Sequence, residues 1–172
     1  MKLQNTLFIA VLLTSSSLSI HAVEKANEDR LDEIAQRGAQ IMPFNLDQTV
    51  HVFSKKEDGG LQQVVVKNQT NTGQIKLIRE HLKEIANKFK QGDFSDPSKL
   101  HGDNMPGLTM LKKARPDEIK IIYTELSDGA QIVYSSDNPA LIHAIHQWFD
   151  AQLSDHARHA MPNHPHHLMH PK

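Results

Sequence analysis

Apolar and polar positions divide the chain into two similar stretches. Thr49-Val50-His51-Val52-Phe53 alternates like a strand and Leu61 to Lys67 reads as its partner, with Asp58-Gly59-Gly60 between them as a hairpin signal. From about Thr72 to Lys90 the apolar residues Ile75, Ile78, Leu82, Ile85 and Phe89 step by three and four, the spacing of one helical stripe. A Gly- and Pro-rich insert follows, Gln91 to Pro116, with room for a short helix around Leu108 to Lys113. The pattern then repeats. Ile119 to Glu125 and Gln131 to Ser135 read as strands across an Asp128-Gly129 turn, and a helix is predicted from Pro139 to His156. Asn138 is its cap, Pro139 sits in its first turn, and Ile142, Ile145, Phe149 and Leu153 form its stripe. Ahead of the first hairpin, Asn27 to Ala39 has a weaker helical period, and Pro43 turns Met42 away from helix.

Two hairpin–helix units predict an α+β fold: a four-stranded antiparallel sheet with helices packed on one face. A domain of roughly 130 residues buries about two thirds of its unfolded surface, enough to fold without disulfides. The expected organisation is a signal peptide over residues 1–22, a single α+β domain over 23–157, and a His/Met-rich flexible tail over 158–172. Lys2 followed by the apolar run Leu7 to Leu13 and small residues up to Ala22 carries the signal-peptide reading. That run is too short to span a bilayer, so the sequence predicts export to the periplasm with no membrane anchor.

Composition changes the picture in two ways. Lys and Arg total 19 against 20 for Asp and Glu, a balance that argues against a nucleic-acid partner. Cysteine is absent, so a soft metal ion can be held only by methionine or histidine. Histidine, by contrast, is abundant. The chain has 12, and His156, His159, His164, His166, His167 and His170 cluster near the C-terminus with Met161 and Met169 among them. Neutral imidazole suits copper and zinc, and thioether sulfur adds a preference for Cu(I).

Inside the domain, His101-Gly102-Asp103-Asn104-Met105 sets an imidazole and a thioether four residues apart on a loop-rich segment. The same spacing is consistent with Met105 packing into the core and His101 capping a turn. His51 lies mid-strand, His81 borders the first helical stripe, and His146 borders the second, three residues after His143. Each is a potential ligand, but a lone histidine at such a position is more often a partly buried core residue. Several such histidines in one small domain shift that balance toward a site: a set drawn from His51, His81, His101 and His146, with Met42 or Met105, could converge between sheet and helices, which spacing alone does not decide.

Six segments carry a resemblance: Arg37-Gly38; Thr49 to Phe53; Ile78-Arg79-Glu80-His81-Leu82; Gly92-Asp93-Phe94-Ser95-Asp96-Pro97; His101-Gly102 with Met105-Pro106-Gly107-Leu108; and His146 to Leu153. Through them the chain resembles a family of small exported bacterial proteins without an established function, some of which carry the name aspartate carbamoyltransferase. The two α/β domains and the phosphate-gripping helix of that enzyme are not readable in this chain. The resemblance implies that His51, His81, His101, Met105 and His146 fall within the family's motif segments.

The function expected from these residues is an exported metal-binding protein for copper, with zinc as the other candidate ion, acting in sequestration, delivery or tolerance. The metal ligands would come from His51, His81, His101, Met105, His146, His156, His159, His164, His166, His167 and His170. A protein-interaction module with structural histidines is the alternative. A small enzyme would use His101 with Asp103, or His146 with Asp150, as base and orienting carboxylate, but no GxSxG, HExxH or phosphate loop is present. A non-covalent haem binder with His and Met axial ligands is a further alternative.

Overall fold

A computed structural model describes residues 23–163. Over these residues the fold is α+β, with five α-helices and five strands in a single mixed sheet of order β3-β4-β2-β1-β5. Strands β1 (Thr49–Lys56) and β2 (Gly59–Val66) form the first hairpin, and β3 (Lys120–Leu126) and β4 (Gly129–Ser135) the second. The hairpins join through antiparallel β2–β4 pairing, with Gln62 opposite Ile132 and Val64 opposite Ala130.

Alternation along the strands gives the sheet one face that carries His51, Phe53, Val64, Ala130, Ile132 and Tyr134. Helices α2 (Thr72–Lys90) and α5 (Pro139–Asp155) cover this face, α2 over β4 and β3 and α5 over β2 and β1. The stripe predicted for α2 is buried as expected. That of α5 is rotated slightly: Leu141, Ile145, Trp148 and Gln152 are buried, and Ile142 lies at its margin. Around α5 stand α1 (Glu28–Ile41), α3 (Ser95–His101) and α4 (Leu108–Lys113). Asn27, Asn71 and Asn138 cap α1, α2 and α5, each side-chain oxygen accepting a backbone N–H of the first turn. Close approach of α5 to β2 depends on Gly60, where an added Cβ would lie 2.4 Å from a ring carbon of Phe149. Among the described residues, no helix is long and apolar enough to cross a membrane.

Two features depart from the sequence pattern. The insert contains α3, because Pro97 stands in the first turn of a helix, where proline is tolerated, instead of marking a loop. The sheet is neither four-stranded nor purely antiparallel. Ala160–Pro162, from the stretch read as tail, forms β5 and pairs parallel with β1, His51 opposite Ala160 and Phe53 opposite Pro162. The His51 amide donates to the His159 carbonyl at 2.8 Å and the Asn163 amide to the Phe53 carbonyl at 3.3 Å. A three-residue strand containing proline has no alternation to read, so only its partner reveals it.

Candidate functional site

A cavity of about 60 Å³ lies between the covered face of the sheet and helices α2, α3 and α5. Four histidines from four elements line it. His51 alternates onto the inner face of β1; His81 stands at the margin of the α2 stripe; His101 is the last residue of α3; His156 is the C-cap of α5. Met42 and Phe44, from the segment after α1, complete that side.

The rings are in contact. His51 and His156 stack with centroids 5.3 Å apart and planes within 4°, and His101 meets His156 edge-on at 4.9 Å. Phe44 lies 5.8 Å from His51 and 5.6 Å from His81. His101 Nδ1 is 2.8 Å from an Asp155 carboxylate oxygen. Arg30 grips the same carboxylate through Nη2 at 2.7 Å and Nε at 3.2 Å, and Nη2 also donates to the His101 carbonyl at 2.7 Å. Three buried polar atoms of the lining residues lack a hydrogen-bond partner: His51 Nδ1, His101 Nε2 and Trp148 Nε1.

Burial sets the charge state. It pushes His51 from the ordinary 6.5 down to about 3, with smaller contributions from neighbouring histidines. His81 and His101 are lowered chiefly by burial, and His156 lies well below its usual value through burial and its contacts with His51 and His101. For Asp155, burial raises the carboxyl, but the hydrogen bonds from His101 and Arg30 outweigh it and hold it below the usual range. The site is thus a set of neutral imidazoles beside an anchored carboxylate. Neutral imidazole is the form that ligates metals. Among the described residues, no three His, Asp or Glu side chains are grouped to hold a metal ion.

The other sequence-derived candidates are dispersed. Met105 is buried and lines an open cleft of about 640 Å³ on the far side of His101, together with Arg30 and Asp155, whereas Met42 is the methionine at the cavity. His146 stands apart: Nε2 bonds the carbonyls of Lys56 at 2.9 Å and Gly59 at 2.8 Å, which ties α5 to the β1–β2 turn. His159 faces Asp47 at 3.7 Å beyond the cavity, and His143 is exposed. His164, His166, His167 and His170 lie outside the described residues. Neither acid–base pair forms, because Asp103 binds Lys112 at 2.8 Å and Asp150 binds Lys55 at 2.6 Å.

Sequence reasoning missed Asp155, Arg30 and Trp148. Asp155 stands 54 residues from His101 and 125 from Arg30, so no helical or strand spacing links them. Trp148 was readable as an apolar helix residue, but nothing in its position signalled an unpartnered indole N–H. No family model, curated protein or solved structure with which the chain was compared matches it.

Proposed function

We propose that the chain is an exported metal-binding protein that takes copper, as Cu(I), at the histidine-lined cavity and serves in its sequestration, delivery or tolerance. The observation that carries this reading is the meeting of His51, His101 and His156 with Met42 around one cavity, with His51 Nδ1 and His101 Nε2 buried and unpartnered. An unpartnered buried polar atom costs about 1–3 kcal/mol, a cost that a bound ion would offset. A zinc site uses a tetrahedral set of donors. Cu(I) is the ion that thioether sulfur favours, and Met42 brings a thioether to the imidazoles. His164, His166, His167 and His170, with Met169, would add weaker capacity.

The test is a competition titration of the secreted form against a chromophoric Cu(I) chelator, with the four C-terminal histidines replaced by alanine. One equivalent should bind at least about tenfold more tightly than the peptide spanning residues 164–172, and His101→Ala should abolish that event. Binding no tighter than that of the peptide would overturn the reading. A second reading treats the four histidines as core packing, and the parallel stack of His51 on His156 favours it. It predicts no tight equivalent in the same titration.

A further inference from the structure

Resting on the metal reading, we infer that Arg30 and Asp155 are positioning residues: they hold His101 as the Nδ1–H tautomer and present its bare Nε2 lone pair to the cavity as a metal donor. The network closes on itself across three helices. Arg30 on α1 takes both oxygens of Asp155, at the end of α5, in a two-pronged grip, and the same guanidinium nitrogen holds the backbone carbonyl of His101, at the end of α3. The backbone and the ring of His101 are therefore both tied to one anchored ion pair.

Proton placement follows from donor counting. A carboxylate paired with arginine only accepts hydrogen bonds, so the imidazole nitrogen 2.8 Å away must carry the proton. A neutral imidazole carries one N–H, which leaves Nε2 with a free lone pair. That atom is buried and makes no hydrogen bond, although the Gln152 side chain stands beside the His101 ring, and the His101 side chain is fully inaccessible to solvent. Turning the ring over would break the Asp155 contact and set a C–H against the carboxylate. A carboxylate behind a ligating histidine fixes the tautomer and strengthens the donor, and removing such a partner typically lowers metal affinity about 10–100-fold. Arg30 extends the device one step further, because without it the carboxylate could turn away from the ring.

A purely structural network, pinning α1, α3 and α5 together, would give the same crossing of helices, so the test must read the proton and the affinity as well as stability. Two-bond ¹H–¹⁵N correlation spectra of the metal-free, full-length secreted chain report imidazole tautomers directly. His101 should appear as Nδ1–H in the parent. In Asp155→Asn the amide nitrogen can itself donate, so the spectrum should shift toward Nε2–H, and Cu(I) affinity in the background lacking the C-terminal histidines should fall about 10–100-fold. Asp155→Glu should restore part of the affinity. Arg30→Lys, which keeps the charge but loses the two-pronged grip, should lower the affinity less. An Nε2–H tautomer in the parent, or unchanged affinity in Asp155→Asn despite a switched tautomer, overturns the inference. If Asp155→Asn does not fold, the parent tautomer and the Arg30→Lys titration decide it. Failure of the metal reading looks different: the parent binds no tight equivalent, while its tautomer spectrum is still recorded.

Discussion

Acid should weaken this protein well before its carboxylates titrate, because three histidines are buried, a fourth, His81, is half-buried, and all four are held neutral. His51 gives the magnitude. Its folded value is about 3 against 6.5 for the free side chain, so between these pH values the unfolded chain binds a proton that the folded chain refuses. Its stabilising contribution is complete above about pH 6.5 and is lost as pH falls toward 3. At about pH 5 the loss is about 2 kcal/mol, since each pH unit below 6.5 costs about 1.4 kcal/mol. His81, His101 and His156 are shifted in the same direction and add to it. Glu28 and Asp155, whose folded values are lowered, lose their contributions only below the ordinary carboxylate range, so a window from about pH 7.5 to about pH 5 isolates the histidines. The measurement is urea unfolding of the metal-free protein at both ends of that window, for the parent and for His51→Leu. The parent should lose at least about 2 kcal/mol, and the variant should lose about 2 kcal/mol less than the parent. Equal losses in the two proteins would refute the reasoning, since they would mean that His51 is solvated in the folded state.

Other expectations are more local. His146→Ala removes the ring that bonds two carbonyls of the β1–β2 turn and should cost about 1 kcal/mol while leaving Cu(I) affinity unchanged, which a titration and a melt together check. Gly60→Ala forces a methyl group into Phe149 and should cost about 1–3 kcal/mol in chemical denaturation. Trp148, the only tryptophan, lines the cavity, so Cu(I) should change its emission in the parent but not in His101→Ala. Alanine at His164, His166, His167 and His170 should reduce the total copper bound without removing the tightest equivalent, as read by calorimetry.

Regular periodicity made much of the architecture legible. The hairpins announce themselves by alternation around Asp58-Gly59-Gly60 and Asp128-Gly129, and the α2 stripe needs only its spacing. Elements set by partners were not legible. β5 is a strand only because β1 has a free edge beside it, and α3 begins with residues that elsewhere make turns. The site divides in the same way. His51 and His81 lie on or beside apolar stripes, and the sequence directs them inward. His156 was assigned to a metal-binding end of the chain, yet it closes the cavity, because the cap of α5 is covered by α3 and β1. His146 shows the converse: a stripe-edge position turned toward a hairpin because two carbonyls there needed a donor. The link between Arg30, His101 and Asp155 is purely tertiary.

The short fifth strand has a practical consequence for dissecting the C-terminus. It shields His51 to Phe53, while the later part of β1, through Lys55 and Lys56, carries charge that discourages pairing with another chain. A truncation placed at Arg158, where the sequence alone would put the boundary, bares the β1 margin immediately behind the imidazoles. It would invite strand-to-strand association between molecules. If the proposed copper site exists, a loss of binding on such a shortening would then report a damaged wall and not the removal of the C-terminal histidines, so any cut belongs after Asn163.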